Sequence, residues 1–312
     1  MKYDMSVVVL CYEPDTQSLK NTLNSIIRQE NCKYEIIIAD DGSKKEYFSE
    51  IRQWLNDQNI KNVVFVKNEK NGGTVKNFIS GLLVAQGKYV KDISPGDYLY
   101  SKDVLYSIVK YMDEYKSKVC FGNAVYYYEE NGKLQLKGKQ NPVDLKPYKT
   151  NNKKIIKKNY IYFQDYILGA CFAFERECIL KYATLISPYV LYAEDISVIC
   201  MVYDGISVDY LEKDIIWYEC GSGISTSGNS KWNNILRNEN RLVYENYLNN
   251  EKEAYQFVHQ MGVPSKKTII KKVMKKPSFL LFLVKLYFNE RKTRKATKDD
   301  VANYEAIIKS NS

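Results

Sequence analysis

The arrangement of the first hundred residues constrains this chain more than any other feature. Two uninterrupted apolar runs, MSVVVLC at Met5–Cys11 and YEIIIA at Tyr34–Ala39, are followed by further strand patterns at Val63–Val66 and Tyr89–Ile93. A run without polar alternation suits a strand covered on both faces, as in a parallel sheet between helices. Between the runs, helical spacing takes over. Leu19, Leu23, Ile26 and Ile27 share one face of a helix from about 15 to 29. Further helices are expected around Glu46–Leu55 and from the Asn71-Gly72-Gly73-Thr74 turn to about Ala85. Strand–helix alternation with short loops specifies an α/β fold, a Rossmann-like and mostly parallel sheet flanked by helices.

Beyond Asp97 the pattern changes. A helix is expected near Val104–Tyr115, a strand at Val125–Glu129, and a two-residue hairpin turn at Asn131-Gly132. The polar stretch Lys137–Lys158, with Pro142 and Pro147, reads as a mobile surface loop. Strands are expected at Gly169–Phe174, Ser207–Leu211 and Ile215–Tyr218, and a helix at Asp195–Tyr203. From Lys231 the pattern is helical and increasingly basic. The expected division is a domain over 1–225, in halves 1–100 and 101–225, followed by a helical, basic C-terminal region over 226–312.

Charge is segregated. The chain has 312 residues and a formal net charge of +9. Lys266–Lys295 carries a net of +10 and Lys137–Lys158 a net of +7, so the remainder is acidic at −8. Two local basic segments on an acidic body argue against a nucleic-acid coat, and no nucleic-acid partner is expected. One histidine, His259, leaves no His-based metal cluster or Ser-His-Asp triad, so a divalent metal would need oxygen ligands. Seven cysteines without a Cys-x-x-Cys pair, and no signal peptide, fit reduced thiols in a cytoplasm. The most apolar stretch, Phe279–Phe288, is interrupted by Lys285 and falls well short of the ~20 residues that cross a bilayer.

In an open parallel sheet, ligands bind beyond the carboxyl ends of the strands. Those ends carry Cys11-Tyr12-Glu13, Asp40-Asp41, the Asn71-Gly72-Gly73 turn and Ser94-Pro95-Gly96-Asp97. Carboxylates there suit a base, a ribose or a metal bridging to a diphosphate. The Asn71-Gly72-Gly73 turn, opening a helix, could aim N–H groups at an anion. Neither G-x-G-x-x-G nor G-x-x-x-x-G-K-[ST] occurs, which disfavours NAD enzymes and P-loop NTPases.

Five segments in order, SVVVLCYEP with LKNTLNSIIRQ, EIIIADDGS, NGGTVKN, GKYVKDISPGDYL and Ala193-Glu194-Asp195-Ile196-Ser197, resemble bacterial family 2 glycosyltransferases of the GT-A fold. The resemblance implies inverting transfer of a sugar from a nucleotide-diphosphate donor, most simply a UDP-sugar, to a hydroxyl of a glycan or lipid-linked acceptor. Bacterial surface-polysaccharide synthesis is the implied setting. By the same resemblance Asp195 is the catalytic base within the Glu194-Asp195 signature. Asp40 accepts from the pyrimidine, while Cys11, Tyr12, Glu13, Asp41, Asn71, Gly72 and Lys76 belong to the nucleotide pocket. Asp97 is the metal ligand for Mn²⁺ or Mg²⁺, and Ser94 with Gly221, Ser222 and Gly223 forms the donor and lid loops.

One departure stands out. Relatives carry Asp-x-Asp-Asp where this chain has Ser94-Pro95-Gly96-Asp97, so the metal motif is reduced to Asp97. A nucleotidyltransferase, and a non-catalytic nucleotide-sugar binding protein with a decayed metal site, remain alternatives. Turn and cap chemistry alone could explain Asp40–Ser43, Ser94–Asp97 and Glu194-Asp195. The segment 266–295 is compatible with an interfacial helix on an anionic membrane, which would make a cytoplasmic protein peripheral to the inner membrane face, or with a solvated basic helix.

Overall fold

The structure is a computed structural model that describes residues 2–130, 133–220, 230–260 and 265–308. Its centre is the expected parallel sheet: β1 (Tyr3–Cys11), β2 (Tyr34–Asp40), β3 (Val63–Lys67) and β4 (Gly87–Ile93), in the order β3-β2-β1-β4. Val7, Val8 and Val9 of β1 and Ile36, Ile37 and Ile38 of β2 are fully buried, as strands covered on both faces must be. The covering helices are α1 (Thr16–Ile27), α2 (Phe48–Asp57) and α3 (Thr74–Val84). Asp15 starts α1 by accepting the Ser18 N–H at 2.7 Å, an N-cap worth about 1 kcal/mol.

The sheet continues with mixed strands. After β5 (Tyr98–Leu99) and α4 (Val104–Tyr115) come β6 (Val119–Glu130) and β7 (Lys133–Lys137). These two pair antiparallel with Glu130 opposite Lys133, while the expected Asn131-Gly132 turn lies outside the described residues. The short helices α5 (Lys146–Lys149) and α6 (Lys153–Lys158) precede β8 (Phe172–Glu175), which is antiparallel to both β4 and β6. Helices α7 (Arg176–Ile186) and α8 (Ser197–Tyr203) lead to β9 (Val208–Glu219), parallel to β6 and antiparallel to β5.

Two expectations need correction. Lys137–Lys158 is not a mobile loop: it carries the end of β7 and both short helices, and it buries Pro147, Tyr148 and Ile156. Its backbone is held by distant partners. Asp165 accepts the N–H groups of Val143 at 2.7 Å and Asp144 at 3.1 Å. Gln140 exchanges two hydrogen bonds with the Asn289 side chain, at 3.1 and 2.9 Å. The two strands expected over 207–218 are one continuous twelve-residue β9. Its polar middle, which read as a break, stays extended because Lys213 pairs with Asp103 at 2.8 Å and Asp214 with Arg294 at 2.9 Å.

The C-terminal region comprises α9 (Ser230–Asn246), α10 (Lys252–Tyr255), α11 (Lys266–Lys275), α12 (Ser278–Asn289), the two-residue strand β10 (Thr293–Arg294) and α13 (Lys298–Ile308). The main core runs straight across position 225. Val243, Tyr244, Leu248 and Ala254 belong to it, and Tyr304 and Ile307 of α13 pack with Trp217 and Tyr127. Arg294 fastens this end, reaching Asp214 at 2.9 Å and Asp300 at 2.7 Å.

Burial alone would raise the Asp300 carboxyl, but the Thr297 N–H, the Tyr100 and Thr297 hydroxyls and Arg294 outweigh it and hold its pKa below the ordinary value. A depressed carboxylate stabilises the fold above its unfolded pKa of about 3.9, and that contribution is lost as pH falls through the depressed value. Arg294→Ala is therefore expected to cost about 1–3 kcal/mol at pH 7, less for a partly exposed pair than for a fully buried one, and to lose part of that penalty below pH ~4. Denaturant unfolding at the two pH values checks this, and a pH-independent penalty would refute the ion-pair account.

Candidate active site

A cavity of about 1200 Å³ opens beyond the carboxyl ends of β1, β2 and β4 and is closed on the far side by α9. Nucleotide-sized ligands occupy roughly 300–1,000 Å³, so it has room for a donor and part of a second substrate. Cys11, Tyr12, Asp41 and Asn71 line one end. Ser94, Asp97, Glu194 and Asp195 line the middle. Glu13, Asp40, Gly72 and Lys76 are not in its wall, and Gly221, Ser222 and Gly223 lie outside the described residues.

The reasons are local. Asp40 is fully buried, and its carboxylate already accepts from the Ser43 N–H at 3.0 Å, the Ser43 hydroxyl and the Tyr47 hydroxyl at 3.1 Å. It organises the turn after β2. Glu13 folds onto the same turn and accepts the Lys44 N–H at 2.7 Å. Asp41 points the other way and accepts from Gly72 N–H at 2.9 Å and Gly73 N–H at 2.8 Å. These are the N–H groups expected to be open to an anion. The side chain one strand away occupies them instead and caps α3.

The start of α3 in turn sets the position of the Glu194-Asp195 segment. Gly73 has φ +89°, and a Cβ there would lie 2.5 Å from the Leu191 carbonyl oxygen, which accepts the Val75 N–H at 2.9 Å. From the opposite side Glu239 of α9, itself buried, accepts the N–H groups of Leu191 at 2.9 Å, Tyr192 at 3.2 Å and Ala193 at 3.1 Å. Gly169 completes the support, because a Cβ at that position would come within 3.3 Å of the Asp195 Cβ.

Four carboxyl groups share this space with little compensation. Burial, reinforced by Asp92 and Glu239, lifts Asp195 to about 6. Burial and the neighbouring Asp195 and Asp92 push Glu194 up as well. Asp97 is raised to about 7 by burial, then by Asp92 and Glu219 against the lowering effect of Lys91. Asp92, raised by burial, keeps its Oδ1 without a hydrogen-bond partner among the described residues. Among those residues, no three His, Cys, Asp or Glu side chains converge closely enough to hold a metal. The donor set thus fits a divalent cation only as a one-carboxylate site at Asp97, with a diphosphate and water supplying most of the shell.

Several wall residues were not assigned to the site from the sequence. Asp92 carried a signal, a carboxylate close to the Ser94–Asp97 turn, but strand alternation left its direction open. Trp232, Arg237 and Asn240 of α9 carried none, because their cavity position depends on how α9 docks. Asn240 donates to the Tyr166 hydroxyl at 3.0 Å and accepts from Gln164 at 3.2 Å, linking α9 to the cavity floor.

Residues 6–179 match the glycosyl transferase family 2 profile. The chain belongs to that family. It is 29% identical over 164 residues to an uncharacterized glycosyltransferase of Methanocaldococcus jannaschii, covering 52% of each chain. It is 28% identical over 122 residues, 38% of its length, to the minor teichoic acid biosynthesis protein GgaB of Bacillus subtilis, of which this covers 13%. The chain thus spans about half the length of the first of these relatives and much less of the second. The fold is shared with S. aureus TarS residues 1–349 in complex with UDP-GlcNAc, at a TM-score of 0.53 and 16% identity, over 99% of this chain and 91% of that one. The GT-A fold and the family expected from the five motifs therefore hold.

Carboxylates with raised pKa values disfavour the folded state at neutral pH, because their contribution is lost as pH rises through the folded pKa. Asp195→Asn should therefore raise stability at pH 7 by about 1–2 kcal/mol, with the gain fading as pH falls from about 6 to about 4. Glu239→Ala should do the reverse, taking the carboxylate from three part-buried N–H groups at a cost of about 2–4 kcal/mol. Thermal unfolding of both variants across pH checks the pair, and a destabilised Asp195→Asn would refute the crowded-carboxylate account.

Proposed function

We propose that this family member transfers a sugar, with inversion, from a UDP-sugar to a hydroxyl of a glycan or lipid-linked acceptor. The observation that carries the reading is Asp195. It is a cavity-facing carboxylate with its pKa raised to about 6, held by a backbone clamp in a space with room for a donor and part of a second substrate. In this reading Cys11, Tyr12 and Asn71 face the nucleoside. The acceptor hydroxyl gives its proton to Asp195 as its oxygen bonds to the anomeric carbon, and the bond to the diphosphate breaks on the opposite face. A divalent cation at Asp97 would supply Lewis-acid neutralisation of the departing diphosphate. Among the described residues the wall carries six acidic side chains and two basic ones, Lys139 and Arg237, so an anionic donor needs added positive charge.

A UDP donor is supported by the likeness to the TarS–UDP-GlcNAc complex, and a surface-polymer acceptor by the teichoic-acid protein among the relatives. The setting we infer is the cytoplasmic face of a bacterial membrane, on surface-polysaccharide synthesis. A nucleotidyltransferase reading is less well supported, because the turn after β1 offers only Tyr12, Glu13 and Pro14 and no basic residue.

Thermal shift across a UDP-sugar panel should find the donor, since a ligand at about 100 times its Kd adds about 2.7 kcal/mol. UDP release from that donor should rise with Mn²⁺, and Asp97→Asn should weaken the metal response. Asp195→Asn should lower turnover by about 100- to 10,000-fold while keeping the thermal shift. The rate of the unaltered enzyme should fall as pH drops through about 6. Full turnover in Asp195→Asn, or donor binding without UDP release in the unaltered chain, would overturn the assignment.

A further inference from the structure

The two basic segments, separate in sequence, form one surface in the fold. β10 pairs with β7, placing Thr293 opposite Lys137, and Gly138 donates to the Lys292 carbonyl at 3.0 Å. Lys285 reaches Asp144 at 2.8 Å and Lys158 reaches Ser278 at 3.3 Å. Phe163, just after α6, stacks on Phe282 of α12 with ring centroids 5.5 Å apart. The segments with net charges of +7 and +10 are therefore neighbours, and Lys139 carries the positive surface to the cavity wall.

Beside this charge lies exposed apolar surface. Among the described residues sixteen large apolar side chains are exposed, and eight of them belong to α11 and α12. On α12 they are Leu280, Leu281, Val284, Tyr287 and Phe288, at positions i, i+1, i+4, i+7 and i+8, which form one helical face. The opposite face, Phe279, Phe282 and Asn289, is buried against the body. On α11, Ile270 and Met274 are exposed at i and i+4 with Lys267 and Lys271 alongside. Lys266, Lys267 and Lys271 make no ion pair among the described residues. No described helix is long and apolar enough to cross a membrane.

We propose that α11, α12 and the joined basic segments are a docking surface for an anionic lipid bilayer. The apolar face of α12 enters the headgroup boundary while the lysines contact lipid phosphates. A soluble polyanion would account for the lysines but not for Leu281 and Phe288 at the surface. A second copy of the chain would cover the apolar face but would bring two strongly positive surfaces together. The docking surface rests on the sugar-transfer reading only in supplying a reason for it, namely access to a lipid-linked acceptor.

The test uses the full chain and vesicles of phosphatidylcholine, alone or with one-third phosphatidylglycerol. The chain should sediment with the anionic vesicles, not with the neutral ones, and less at high salt. A Lys266→Gln, Lys267→Gln, Lys271→Gln variant should bind about 100-fold more weakly, given the attraction each lysine adds. Leu281→Glu with Phe288→Glu should abolish sedimentation while leaving the circular dichroism spectrum and Tm unchanged. Equal binding to neutral vesicles, or lysine variants that bind like the unaltered chain, would overturn the proposal. So would a concentration-dependent dimer that the double glutamate variant dissolves without changing vesicle binding. UDP release is measured on the same samples. Vesicle binding without UDP release would sink the sugar-transfer reading and still support the docking surface.

Discussion

Three consecutive backbone N–H groups gathered on one carboxylate hold the centre of this molecule together. Glu239 accepts from Leu191, Tyr192 and Ala193, while the Leu191 carbonyl accepts from Val75 at the start of α3. The start of α3 is itself capped by Asp41 from the end of β2. A chain of contacts therefore runs from the carboxyl end of β2, through the segment before Glu194-Asp195, to the C-terminal helix α9. The Gly73 and Val75 N–H groups in this chain belong to buried residues, where a lost partner costs about 1–3 kcal/mol, and those of Leu191, Tyr192 and Ala193 are part-buried and lose less. The Glu194-Asp195 segment is short and turns through a single 3₁₀ turn, Glu194–Ile196, so it lacks the internal bonds that would hold it alone.

The same arrangement explains the electrostatics. A carboxylate that fixes the backbone also adds negative charge beside Asp195 and Glu194, and Asp92 adds more from β4. Part of the body's acidity, visible as a net of −8 outside the two basic segments, lies in the cavity wall, where Asp92, Asp97, Glu194 and Asp195 gather. Folding tolerates such a cluster because the surrounding core is large and continuous across both halves and into α9. A group that must take a proton near neutrality benefits from the raised pKa that this crowding produces.

What could be read from the sequence follows from how local each interaction is. β1, β2 and their helices were legible because burial on both faces writes a continuous apolar run, and Leu19, Leu23 and Ile26 repeat at helical spacing. The carboxylates at strand ends were legible for the same reason. Their orientations were not. Asp40 and Asp41 are adjacent, yet one is consumed by its own turn and the other caps a helix 32 residues on. Lys137–Lys158 looked like a loop because its order comes from Asp165 and Asn289, which no local pattern reveals. Glu239 carries no local signal, because the N–H groups it accepts from lie 46 to 48 residues away.

These long-range contacts change how the C-terminal region should be understood. A boundary near 225 follows composition, where the pattern turns helical and basic, but composition records surface more than core. Tyr244 donates to the Ile161 carbonyl, Tyr304 packs beside Trp217 with ring centroids 5.4 Å apart, and Asn240 braces Tyr166 in the cavity floor. Of the described helices after 225, α9 closes the cavity, while α11 and α12 carry the basic and apolar surface. A single element, α9, connects the described part of the cavity wall to the Leu191–Ala193 clamp. The outer helix α12 instead packs through Phe279 and Phe282 on Phe163 and Phe257, a cluster distinct from the main core that α9 joins through Val243 and Tyr244.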